Sequence, residues 1–187
     1  MNVSKLIQTT LVALMLAAAT SLASAQLNSG AQTIALNATL NESLTLSLSA
    51  NSVTFNLTPG SATNAGSSNI TATTSWVLKP TRTAVGIFAY FTAAAAALTD
   101  GSGDNIPSSA FTISDNGGTA AGLTNTVVFG GGNAGLQVAN VAITGTNRNG
   151  SRTDVMAFNI NLSGGTLPQL PAGTYSGTLN IQAQATP

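Results

Sequence analysis

Of the 187 residues only five are basic and five acidic, and neither histidine nor cysteine occurs. So few cations exclude a nucleic-acid surface, which needs clustered Lys and Arg to displace counterions from phosphates, and a polybasic membrane patch. Without His or Cys the chain lacks the commonest general base, the commonest zinc ligand, thiolate metal sites and a cysteine nucleophile, while 43% apolar residues suffice for a core.

In chain order, the first element reads as an export signal. Met1 to Lys5 is a short positively charged start, Leu11 to Ala19 is an unbroken apolar run, and Ala23-Ser24-Ala25 supplies the small-x-small pattern of a cleavage site. The run is too short to span a bilayer, which takes about 20 residues. The expected signal peptide is residues 1–25, and the expected exported protein begins at Gln26 with no membrane span. From Gln26 onward four basic residues stand against five acidic ones, for a net charge of minus one.

Alternation with period two then runs almost to the end. Ile34, Leu36, Ala38 and Leu40 share one parity, and after Asn41-Glu42-Ser43 it resumes at Leu44, Leu46 and Leu48. Val53, Phe55 and Leu57 make a short strand ended by Pro59-Gly60. Ile70, Ala72, Thr74, Trp76 and Leu78 make the next. Ala84 to Phe91 is nearly continuous in apolar residues and reads as a central strand covered on both faces. Ala93 to Ala97 could form one helical turn. Leu136 and Val138, then Val141 and Ile143, lead to a hairpin tip expected at Asn147 to Ser151, because Asn-Gly adopts the positive φ of tight turns. Met156, Phe158, Ile160 and Leu162 follow, and Tyr175, Leu179, Ile181, Ala183 and Ala185 close the chain. Alternation of this kind buries one face and wets the other. It places Trp76, Phe158, Tyr175 and Ile181 inside and Thr178, Asn180 and Gln182 outside. The expected fold is all-β: an antiparallel immunoglobulin-like β-sandwich of Greek-key type, a single domain over residues 26–187, with at most one short helical turn.

The stretch Pro171-Ala172-Gly173-Thr174-Tyr175-Ser176-Gly177-Thr178 and the alternating residues after it resemble the last strand and preceding turn of exported bacterial pilin-like domains, including spore-coat-protein-U-like and chaperone–usher subunits. The resemblance implies an immunoglobulin-like sandwich whose subunits polymerise when an N-terminal extension completes the sheet of the next. Such relatives often carry cysteines and an aromatic next to the last residue, whereas this chain has no Cys and ends Ala185-Thr186-Pro187.

Residues 26–40 form the sharpest functional candidate. A donor strand must offer apolar knobs on one face and a free backbone edge, and Ile34, Leu36, Ala38 and Leu40 supply the knobs. The same segment also fits a long first strand of a self-contained sandwich that bends at Glu42. Between Gln26 and Leu78 the only charge is Glu42, and from Val155 onward there is none. The strand edges at both ends therefore lack the charged guards of monomeric β-proteins.

Other candidates read as structure. Trp76 on an apolar strand face is core rather than a sugar platform with Tyr90-Phe91. Asp100-Gly101-Ser102-Gly103-Asp104-Asn105 is a turn rather than a calcium loop. The sequence thus predicts an exported, non-enzymatic structural protein of the cell surface or secreted fraction. It would be a pilus-like or surface-fibre subunit that pairs strands with copies of itself or related subunits, with no cofactor, metal or catalytic residue. The alternative is a monomeric secreted module that binds carbohydrate or protein through its loops.

Overall fold

The alternating segments become strands wherever a neighbouring backbone is available to complete their hydrogen bonds. A computed structural model describes residues 28–130 and 132–187, and the expected signal peptide lies outside the described residues. The chain divides into two units, residues 1–39 and 40–187. Residues 28–39 of the first unit have no regular secondary structure and are exposed throughout.

The second unit is all-β. Among the described residues eleven strands follow one another: β1 (Ser43–Leu48), β2 (Asn64–Ala65), β3 (Ile70–Val77), β4 (Ala84–Tyr90), β5 (Leu98–Thr99), β6 (Asn105–Ile106), β7 (Phe111–Asp115), β8 (Ala121–Gly122), β9 (Gly135–Ala142), β10 (Asn149–Ile160) and β11 (Asn180–Thr186). One antiparallel sheet runs β1-β3-β10-β7-β8, with β2 also on β10, and a second runs β11-β4-β9. β5 and β6 form a small separate ribbon. Two three-residue 3-10 turns, Ser108–Ala110 and Leu167–Gln169, are the helical elements described. The expected turn at Ala93 to Ala97 does not form. No helix among the described residues is long and apolar enough to cross a membrane.

The two sheets share a core, as a sandwich does. Ile70, Ala72, Phe111, Ile113, Met156, Phe158 and Ile160 from the larger sheet meet Ala89 and Leu136 of the smaller one, with Phe91 just beyond β4. Trp76 and Leu78 pack with Val85 and Ile143 in a second, smaller cluster. On β10 the inward residues are 154, 156, 158 and 160 in strict alternation. β4 is buried over Val85–Ala89 and lies between β11 and β9, as its continuous apolar run requires. Ile160 is fully buried, so Ile160→Ala should cost about 2–5 kcal/mol in chemical denaturation, the range for emptying a packed aliphatic site.

Two local expectations are corrected, and one break in the alternation is explained. Asn149-Gly150 is not a hairpin tip; both residues open β10 opposite Val77 and Trp76. The bend lies earlier, at Gly145-Thr146, where the Asn147 amide accepts from Thr144 N at 2.6 Å and donates to the Ala142 carbonyl at 2.9 Å. A Cβ at Gly150 would pack close against the Trp76 indole, 3.3–3.5 Å away. The parity change between Leu136/Val138 and Val141/Ile143 is a bulge, because Ile87 pairs with Ala139 and Phe88 with Gln137, which leaves Val138 without a partner. Finally, Trp76 and Phe158 are buried as expected, but Tyr175 and Ile181 are only half-buried, and Asn180 and Gln182 are half-covered rather than exposed. The last segment borders an open groove, so neither of its faces is fully closed.

Candidate functional site

Between residues 51–57 and 173–179 the sandwich is incomplete. Neither segment forms a regular strand. The first is tied by one bridge, Phe55 to Gly66, and the second by another, Ser176 to Thr99, whose amides and carbonyls exchange two 3.0 Å bonds. Between them opens a groove of about 770 Å³. Phe91, Phe111, Phe158, Ile70 and Ile181 contribute to its apolar lining, and none of its lining residues is charged. The three phenylalanines are buried members of the main core, so the groove lies against the edge of that core, between walls that are only partly buried.

Sequence dictates why the walls do not close. Asn51, Ser52, Asn56 and Pro59-Gly60 interrupt the first wall, and turn-forming residues of this kind break a ladder. In the second wall, Gly177 passes so close to the ribbon that a Cβ would run into the Ala97 carbonyl oxygen. The Tyr175 hydroxyl donates to the Pro171 carbonyl at 2.9 Å and fixes the turn. The sequence motif around Tyr175 is thus a wall-building device: one glycine for close approach and one tyrosine for the corner.

The opposite end is shut. Arg82 donates from Nε to Glu42 Oε1 at 2.8 Å and from Nη1 to the Ala185 carbonyl at 3.3 Å, linking the start of β1 to the end of β11. Glu42 also accepts from Lys79 N at 3.3 Å. The Arg82 hydrogen bond holds the Glu42 carboxyl below its usual range, so the tether is at full strength above about pH 4.5 and is lost as acid protonates it.

The sequence-predicted donor residues stand out in another way. Ile34, Leu36 and Leu40 are 84%, 89% and 83% exposed, and Ala38 is exposed as well. They are three of the six exposed large hydrophobic side chains described. Residues 28–40 have no strand partner among the described residues. β1 begins at Ser43, just after the Glu42 bend expected from sequence.

Two of the remaining candidates settle into structure. Trp76 is buried and donates Nε1 to the Asn147 carbonyl at 2.8 Å. Asp100 Oδ1 accepts from the backbone of Ser102 and Asp104 at 2.8 and 3.0 Å, the pattern of a closed turn. Among the described residues no group of His, Cys, Asp or Glu could hold a metal ion. Tyr90 donates to Gln182 Oε1 at 2.9 Å and lies beside Phe129, while Phe91 belongs to the core, so the two adjacent aromatics do not share a face.

No family model, curated protein or solved structure matches the chain.

Proposed function

We propose that the protein is an exported, non-enzymatic structural subunit that assembles by strand pairing, the segment Ile34 to Leu40 of one copy lying in the groove of another. One observation carries this reading: the domain opens an uncharged, partly apolar groove between two segments each held by a single bridge, and the same chain holds an alternating segment without a strand partner whose apolar side chains are in water. Each is costly alone. Exposed leucine and isoleucine forgo about 1.5–3 kcal/mol of burial apiece, and unpaired strand edges invite pairing by another chain. Together they satisfy each other, by the strand addition through which extended peptides bind to sheet edges.

The immunoglobulin-like assignment is supported by the Tyr175 hydroxyl bound four residues back at Pro171, the form of a tyrosine corner. The resemblance of the Pro171–Thr178 stretch to pilin-like domains points the same way. Export rests on the Met1–Ala25 pattern alone.

Sedimentation velocity and negative-stain microscopy of the protein starting at Gln26, over a rising concentration series, test the assembly. Concentration-dependent oligomers or filaments are expected. A monomer at every concentration would discard strand pairing between copies and leave the monomeric binding module as the better reading.

A further inference from the structure

Between the two apolar clusters lies a polar layer that the packing does not call for. On β10 the inward parity runs from the half-buried Arg152 to Asp154, Met156, Phe158 and Ile160, so one charged residue is buried beside core residues and a second lies at their margin. Asp154 is fully buried. Arg152 donates Nε to both Asp154 oxygens, at 2.6 and 2.8 Å, and its Nη2 also reaches Asp154. The same Nη2 lies 3.4 Å from Asp115 Oδ2 at the end of β7, and Nη1 lies 3.4 Å from the Asn140 carbonyl of β9. The Asn116 amide donates to Asp154 Oδ1 at 3.4 Å. Two carboxyl groups thus share one guanidinium. No other charged residue lies on β3, β7, β9 or β10, the strands that surround the layer. Asp115 Oδ1 is buried with no hydrogen-bond partner, as is Thr74 Oγ1 on β3, which pairs with Arg152 in register.

We infer that this layer is a proton-binding switch: one proton taken up between Asp115 and Asp154 tightens β7 onto β10, and its loss leaves an uncompensated negative charge between the strands. The stoichiometry drives it. With both carboxylates ionised the layer carries net charge minus one around the fully buried Asp154, with Arg152 and Asp115 only partly exposed, which is unfavourable. With Asp115 protonated the layer is neutral, and its hydroxyl can donate to Asp154. Burial and the Asp154 charge accordingly hold the Asp115 carboxyl above its ordinary 3.8, against the opposing pull of Arg152. The sign follows from linkage: a carboxyl raised in the folded state binds more protons folded than unfolded. Its stabilising contribution is full below pH 3.8 and is lost as the pH rises through the folded-state value. Glu42 acts in the opposite sense, so a comparison with a neutral variant at Asp115 is needed to isolate the switch.

The test is a pair of urea denaturation series on the wild type and Asp115→Asn, from pH 7 down to pH 4. Asparagine keeps the size and the donor but cannot ionise. The wild-type midpoint is expected to climb relative to the variant as the pH falls. A difference that stays constant, or reverses, overturns the inference. Carbon-13 NMR titration of the wild-type carboxyl groups gives a reading that does not depend on the variant folding. The Asp115 signal should change at a pH above 3.8, and a midpoint at or below that value also overturns it.

Discussion

Leu36→Asp is expected to abolish assembly and leave the monomer folded. Leu36 is 89% exposed, and substitutions at such positions usually shift stability by no more than about 0.5 kcal/mol. In the groove the balance changes. The leucine's burial there is worth about 1.5–3 kcal/mol. An aspartate in its place would meet Phe91, Phe111 and Phe158 with no cation among the lining residues to pair with. A combined loss near 4 kcal/mol corresponds to roughly a thousandfold weaker association. Sedimentation velocity reads the loss, and circular dichroism confirms that the sheets persist. A variant that unfolds would place Leu36 in the monomer's own core, and one that assembles like the wild type would remove the segment from the interface.

Gly177→Val should damage both the domain and its assembly. The glycine passes the ribbon so closely that any Cβ would displace the Ala97 carbonyl and press on Leu98 Cδ2, 2.9 Å away. Relief means moving residues 173–179 outward, which breaks the paired bonds between Ser176 and Thr99. Overpacking costs about 1–3 kcal/mol and each of the two lost hydrogen bonds about 1 kcal/mol, so a destabilisation of about 3–5 kcal/mol is expected in urea titration. Unlike Leu36→Asp, this variant loses assembly because the groove has lost a wall. A stability within 0.5 kcal/mol of the wild type would show that the wall can shift freely.

Much of this architecture is legible in the alternation of apolar residues, since period two is a property of the strand itself. The change of parity near Val138 was visible as a pattern and becomes a bulge once β4 supplies the register. Asn149-Gly150 misleads because a local turn propensity yields to sheet pairing: both residues are taken into β10 opposite Val77 and Trp76. Tyr175 and Ile181 have core parity but are only half-buried, because they line the open groove. The groove could not be read from sequence, as it is made by two segments over a hundred residues apart. The polar layer could have been found. Asp154 shares its parity with Met156, Phe158 and Ile160, and a charged residue on the apolar face of an alternating strand signals a buried ionic site.

The tether of Arg82 to Glu42 and Ala185 gives the domain a direction. It fastens the start of β1 beside Ala84, whereas the groove begins past Tyr90, six residue steps or about 20 Å along β4. The polypeptide therefore enters at one pole, and the vacancy it would fill lies toward the other. Under the strand-pairing reading such a unit does not meet its copy face to face around a twofold axis; it adds head to tail, and a head-to-tail contact that does not close into a ring propagates as an open row. A row of this kind has unlike ends, one with an empty cleft and one with a free tail. It can lengthen by a different reaction at each end, and it can be terminated at either by a molecule that mimics only half of the subunit.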